Sequence, residues 1–248
     1  MKLLLIGAGN MGGAMLQGLH VKDVTVVVRN PLKAEALKQK YPTLKVVNEI
    51  PSLDDFLVII AVKPQAFGKL VTTGKAKGVI SVMAGISLAK LREEIAAEHY
   101  VRAMPNMAAM VQKSATSVCG DSAIKEEVLD VLSSIGKCFW LESEKELDIA
   151  AALAACSPAW MALVAESLSD GAVNLGLKRD MSYQFVAALF EGMGEVLKTE
   201  HPAVLKDQVM SPGGTTVAGY AKLEEGGVRD SFIKAMEASY ERTKILGK

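Results

Sequence analysis

Cysteine and histidine are scarce: three of each occur among 248 residues. The histidines, His20, His99 and His201, stand far apart, and no Cys-x-x-Cys or His-Glu-x-x-His pattern links them to Cys119, Cys138 or Cys156, so the chain lacks the spacing of a zinc site. Three cysteines in a chain of this length do not make a disulfide framework, which points to a reducing compartment, the cytoplasm. Charge of one sign is also missing. Lys plus Arg number 28, as do Asp plus Glu, and a formal net charge of zero argues against a nucleic-acid partner. No uninterrupted apolar run reaches the roughly 18 residues of a membrane span, so no membrane partner is expected. The opening Met1–Gly7 has the look of a signal-peptide core, but it is short and runs into a glycine pattern without a cleavage site.

Apolar residues are plentiful, at 50% of the chain. The length fits between one and two domains. Short β-branched runs alternate with helical spacing through the first half. Strands are predicted at 2–6, 23–28, 43–47, 56–61, 77–82 and 100–104, with helices at Asn10–His20, Pro31–Lys40, Gln65–Val71 and Leu88–Ala97. This alternation predicts an α/β fold, a Rossmann-type doubly wound parallel sheet with right-handed crossovers throughout. A further strand–helix–strand piece, 115–140, extends the sheet at its edge. The N-terminal domain is placed at residues 1–145.

The first strand ends in Gly7-Ala8-Gly9-Asn10-Met11-Gly12, a full G-x-G-x-x-G in the strand–turn–helix setting that a dinucleotide fingerprint requires. Gly7 makes the tight turn, Gly9 lets the backbone approach a pyrophosphate, and Gly12 packs helix on strand. The helix N-terminus then faces the phosphates. After the second strand, a carboxylate for the ribose 2′-hydroxyl of NAD is missing. Arg29-Asn30-Pro31 stands there instead, with Lys33 a turn later. Arg29 and Lys33 suit a 2′-phosphate, with Asn30 donating to it, so NADPH is predicted as cofactor and NADH is the alternative; plain solvated charges would explain the same residues. Ala61-Val62-Lys63-Pro64 and Met83-Ala84-Gly85 follow later strands, at ends that line the cofactor crevice of such a sheet. Pro64 is placed at a helix start. Arg102 falls within a strand and needs a partner.

Beyond about Glu144 the strand signals stop. Helices are predicted over 149–165, interrupted at Ser157-Pro158, over 181–199 with Asp180 as N-cap, and over 215–225 and 230–245. This makes a helical dimerisation and substrate domain at 146–248. Its first helix has few charges on any face, which calls for burial on all sides, so a homodimer with interlocked C-terminal helices is expected, further assembly being left open. Ser211-Pro212-Gly213-Gly214-Thr215-Thr216 is a helix N-terminus signature with bare backbone N–H groups, suited to a carboxylate, and with two hydroxyls beside it.

With GAGNMG at Gly7–Gly12, AVKPQ at Ala61–Gln65, MAG at Met83–Gly85, RAMPN at Arg102–Asn106 and HPAVLKDQVMSPGGTT at His201–Thr216, the chain resembles pyrroline-5-carboxylate reductase along its whole length. The resemblance implies a Rossmann domain, exchanged helices and a substrate site at a dimer interface. It implies that Gly7, Ala8, Gly9, Asn10, Met11, Gly12, Asn30, Asn48, Ala61, Val62, Lys63, Pro64, Met83, Ala84 and Gly85 serve the cofactor, beside Arg29 as read above. Ser211, Gly213, Gly214, Thr215 and Thr216 serve the substrate, with Thr216 catalytic through its hydroxyl. Two departures stand out. Ala155-Cys156-Ser157 replaces the family's usual Gly-Ser-Gly before Pro158-Ala159 and the aromatic Trp160, and Gln208 stands where some members carry Asn.

The implied reaction is reduction of 1-pyrroline-5-carboxylate to L-proline by hydride from NADPH, the last step of proline biosynthesis. It needs no strong base, which suits a chain poor in histidine. Two rivals remain. A β-hydroxyacid dehydrogenase would need a proton-transferring lysine, for which Lys178, Lys198 and Lys206 are available without a matching motif. A cofactor-sensing protein without catalysis would rest on the altered Ala155-Cys156-Ser157. Cys156 itself reads as a small buried thiol.

Overall fold

A computed structural model describes residues 2–19 and 23–246; the expected end of the first helix at His20 lies outside the described residues. The chain runs β1 (Lys2–Ile6), α1 (Asn10–Leu19), β2 (Val24–Val27), α2 (Pro31–Lys40), β3 (Lys45–Val47), β4 (Phe56–Ile60), α3 (Pro64–Phe67), β5 (Ala76–Ser81), α4 (Leu88–Glu94), β6 (Ala97–Met104), β7 (Ser114–Gly120), α5 (Lys125–Ser133) and β8 (Gly136–Trp140). The eight strands form one sheet in the order β3-β2-β1-β4-β5-β6-β7-β8. Strands β1 to β6 are parallel. The expectation of right-handed crossovers throughout fails once, because β7 pairs antiparallel to β6. The linking segment, 105–113, is shorter than the dozen or so residues a crossover needs, and it folds into a 3₁₀ turn at Met107–Val111.

Alternate residues of each central strand supply opposite faces of the sheet. Leu3, Leu5, Leu57 and Ile59 pack with Met15, Leu16 and Leu19 of α1 and Val128, Val131 and Leu132 of α5. Leu4, Ile6, Val58 and Ile60 pack on the other face with Phe67 of α3 and Leu91 of α4. Strands buried on both faces read as continuous apolar runs, hence LLLI and FLVII. The helix expected at 65–71 is shorter and starts one residue earlier, with Gly68 as its C-cap. The helix expected to reach Ala97 ends at Glu94, because β6 already begins at Ala97.

The remaining helices are α6 (Glu144–Ala151), α7 (Ser157–Asn174), α8 (Arg179–Val196), α9 (Pro202–Val209), α10 (Thr215–Glu225) and α11 (Val228–Leu246), with a π-helical turn, Ala152–Cys156, between α6 and α7. Ser143 caps α6 by accepting from the Glu146 N–H, while Glu146 reaches back to the Glu142 N–H, a variant of the capping box. Asp180 is not the cap of α8; Lys178 holds that position without a side-chain bond, and Asp180 sits in the first turn, where its charge suits the helix dipole. Helix α9 was not foreseen. It is short, starts with Pro202 at its first position, and His201 Nδ1 accepts from the Ala203 N–H.

The chain divides into two compact units, one ending at Cys156 and taking in the chain from Ser239 onward, the other Ser157–Ala238. Within the second, α7 and α8 meet through a Ser169–Ser182 hydroxyl pair at 2.5 Å, joined by Arg179. These two serines are the buried residues among those described in that unit, whereas Leu163 and Phe185 are each 63% exposed and Leu189 is 50% exposed. The run 144–174 is long and apolar enough to cross a membrane by length and composition. It is broken by a π turn, however, and Glu144 and Asp148 of its first helix both pair with Arg102 of the sheet.

Candidate active site

In the first unit, β1 lies between β2 and β4, so the chain's path across the sheet reverses beside it. Open α/β sheets bind ligands at the carboxyl ends of strands at such a reversal. A crevice of about 570 Å³ opens there, walled by Gly7, Ala8, Gly9, Arg29, Asn30, Lys33, Asn48 and Val62, among others.

The glycines separate cleanly by what surrounds them. Gly7 has φ +100°, and a Cβ there would lie 2.8 Å from the Ala61 carbonyl oxygen. A Cβ on Gly12 would lie 2.1 Å from the Gly7 oxygen, so α1 can approach the strand this closely only without a side chain. Gly9 is different. Nothing in the protein comes within 4 Å of a Cβ built there, and φ is not in the left-handed region. Packing makes no demand for glycine at this position, which leaves a cradle that a side chain would fill. That observation fits a pyrophosphate at the start of α1, whose first N–H groups lack helical partners.

Arg29, Asn30 and Lys33 are exposed at the crevice. Asn30 Oδ1 accepts the Lys33 N–H at 3.1 Å and caps α2, and its Nδ2 is the group with which it can donate to a phosphate. Asn48 enters from the end of β3. Asn10, Met11, Gly12, Ala61, Lys63 and Pro64 are not among its walls, although Gly12 packs beneath Gly7 and a Cβ there would lie 3.3 Å from the Ala61 Cβ. Pro64 does open α3, with Lys63 exposed at its N-cap. Met83, Ala84 and Gly85 follow β5 and are not walls of this crevice either; Gly85 has φ +75°. Sequence reasoning missed Lys69, Leu70 and Val71 as walls. Gly68 was the available signal, since it stops the helix and frees the loop that follows.

In the second unit, Gly213 has φ +67°, a left-handed turn that suits glycine, and Gly214 is the N-cap of α10 without a side-chain bond. The helix thus begins four residues after the serine of the Ser-Pro signature, and Ser211 is not its cap. Ser211 accepts the Gly214 N–H through its carbonyl at 3.0 Å, and a Cβ on Gly214 would lie 2.3 Å from Ser211 Oγ. The first-turn N–H groups from Thr215 are left without helical partners, and Thr215 and Thr216 are exposed beside them.

The other chemistry-bearing groups are quiet. Burial pushes the Cys119 thiol up to about 11, against the opposing pull of Arg102, and pushes Cys138 up to about 11. Cys156 is half-buried in the π turn. The lysines a hydroxyacid dehydrogenase would need are engaged or exposed. Lys198 pairs with Glu195, and a hydrogen bond to Asp207 raises Lys206 further above the neutral range. A proton-transferring lysine needs the opposite shift.

Residues 144–246 match the pyrroline-5-carboxylate reductase dimerisation family, and residues 2–85 match the coenzyme F420-dependent NADP oxidoreductase family. A pyrroline-5-carboxylate reductase from Helicobacter pylori is 32% identical over 98% of this chain and 99% of its own. The chain belongs to the pyrroline-5-carboxylate reductase family. The reductase structure from Streptococcus pyogenes superposes with a TM-score of 0.86 at 29% identity, covering 98% of each chain. A Plasmodium falciparum pyrroline carboxylate reductase with NADP bound gives 0.83 at 29% identity over 100% of both.

Proposed function

We propose that this chain reduces 1-pyrroline-5-carboxylate to L-proline as an NAD(P)H-dependent reductase, the last step of proline biosynthesis, working as a cytoplasmic homodimer. The observation that carries the proposal is the start of α10, where bare N–H groups and two hydroxyls converge on one exposed turn. Residues 1–145 form the NADP-binding domain and 146–248 the dimerisation and substrate domain.

The bound nicotinamide cofactor supplies the hydride. Gly9 and the first turn of α1 through Gly12 would hold its pyrophosphate; Arg29, Lys33 and Asn30 Nδ2 would favour the 2′-phosphate of NADPH over NADH. Asn48 and Val62 wall the crevice, and Ala61, Lys63, Pro64 and Met83–Gly85 stand at the strand ends beside it. The backbone around Ser211 and Gly213 to Thr216 fixes the substrate carboxylate. Thr216 Oγ1 accepts a hydrogen bond from the protonated ring nitrogen of the imine, so hydride addition to the C=N carbon gives the N–H of proline with no further proton to supply. Most of the rate comes from orientation, which can contribute about 7–11 kcal/mol.

Thr216→Ala tests the assignment. A hydrogen bond to a charged group contributes about 1.5–3 kcal/mol, so kcat/KM for pyrroline-5-carboxylate falls by about 10–100-fold. The NADPH Kd stays unchanged. Wild-type kcat/KM in this variant removes Thr216 from the mechanism.

A further inference from the structure

The second strand ends without the carboxylate that holds the ribose 2′-hydroxyl in NAD sites of this fold. Arg29 stands there, and Asn30 turns its Oδ1 to the Lys33 N–H. A carboxylate does arrive at the same edge of the crevice, from the neighbouring strand. β2 and β3 pair in parallel with Val27 opposite Val47, and the Val28 N–H donates to the Val47 carbonyl at 2.8 Å. Two residues beyond that pair, on chains that a sheet spaces about 4.8 Å apart, come Arg29 and Glu49. Both wall the crevice, as Gly9 does.

The charged walls of the crevice, among the described residues, are Arg29, Lys33, Lys69 and Glu49, and all four are exposed. None of these side chains makes an ion pair or a hydrogen bond within the described residues. Glu49 leaves Arg29 unpaired although the two strands deliver them side by side. The fold therefore spends none of these charges on itself. Three cations against one carboxylate keep the crevice net positive, which suits a phosphate, while the carboxylate is an acceptor that a hydroxyl can use.

We infer that Glu49 is a cofactor-selecting residue: its carboxylate accepts the 2′-hydroxyl of NADH and repels the 2′-phosphate of NADPH, and so narrows the preference that Arg29 and Lys33 set. This rests on the reading of the crevice as the NAD(P)H site. A hydroxyl bonded to a carboxylate makes a charge-assisted hydrogen bond. A phosphate beside the same carboxylate meets a like charge, less screened in a crevice than on open surface.

Two variants test this. Glu49→Ala removes charge and acceptor together, and Glu49→Gln removes the charge but keeps an acceptor oxygen. Nicotinamide fluorescence titrations without substrate read the Kd of each cofactor. In Glu49→Ala the NADPH Kd falls about three- to tenfold and the NADH Kd rises about three- to tenfold, the latter from loss of one hydrogen bond. In Glu49→Gln the NADPH Kd falls as well, while the NADH Kd rises by less than in Glu49→Ala. The gain for NADPH shrinks in about 1 M salt, where the Debye length is about 3 Å. Both variants keep the wild-type Tm within about a degree, because the side chain has no partner to lose. Kd values that move the same way for both cofactors, or that move by less than about twofold, overturn the selecting role. Wild-type protein that binds neither cofactor overturns the site reading and Glu49 with it. Opposite shifts in a protein that fails to reduce pyrroline-5-carboxylate uphold Glu49 and overturn the reaction alone.

Discussion

At the scale of single residues, Gly9 and Gly12 carry the same letter for different reasons. A Cβ on Gly12 would sit 2.1 Å from the Gly7 carbonyl oxygen. Gly12→Ala therefore strains the α1–β1 contact, at about 1–3 kcal/mol, and lowers Tm by about 2–10 °C. Gly9→Ala meets no protein atom within 4 Å. It should keep the wild-type Tm within about a degree and raise the NADPH Kd at least tenfold. Thermal melts and fluorescence titration of both variants check this; equal losses in the two would remove the distinction between packing and ligand space. The packing role of Gly12 was legible in the G-x-G-x-x-G motif, and the open space at Gly9 agrees with the ligand role proposed for it. The capping of α2 by Asn30 was not legible, because asparagine at that point was read as a ligand donor. The hydrogen bond from Asn106 Nδ2 to the Ala154 carbonyl was hidden for a different reason: the two residues are 48 apart, and no pattern in the sequence couples them.

At the scale of elements, α6 is tied to the sheet by one buried cation. Arg102 on β6 is 3% exposed and bonds Glu144 Oε1 and Asp148 Oδ1, each at 2.9 Å. Glu144 Oε1 also accepts the Leu88 N–H at the start of α4. The sequence marked Arg102 as a strand arginine in need of a partner, and two carboxylates at i and i+4 of a later helix supply it. Arg102→Leu leaves both carboxylates without a counter-charge. Breaking a buried pair costs about 3–5 kcal/mol; the Glu144 side chain is 35% exposed, so a loss near or below the lower bound is expected. Denaturant melts check it, and a loss under about 1 kcal/mol would show that α6 is held mainly by packing. Most helices were legible in apolar spacing, as in the alternating first half, whereas the short α9 was not. Boundaries were less so. Ser157-Pro158 reads as an interruption, yet the chain keeps winding by widening one turn. The antiparallel β6–β7 pair was missed because the strand pattern is the same for either direction, and only the short link between them excludes a crossover.

At the scale of the whole molecule, the second unit places apolar side chains outward. Leu163, Phe185 and Leu189 are at least half exposed, and the residues buried there, among those described, are two serines. A helical unit whose apolar side chains face outward fits the proposed homodimer, which the all-round apolar character of 149–165 leads one to expect. Phe185→Glu should shift the protein from dimer to monomer in sedimentation at micromolar concentration and abolish turnover with it; a stable, active dimer would place the interface elsewhere. The most direct single measurement is NADPH oxidation by the wild-type protein with pyrroline-5-carboxylate at neutral pH, with the product identified. Rapid, substrate-dependent oxidation yielding proline is the predicted result. Confirmed NADPH binding without turnover of this cyclic imine would contradict it and leave a chain that binds the cofactor and catalyses nothing with it.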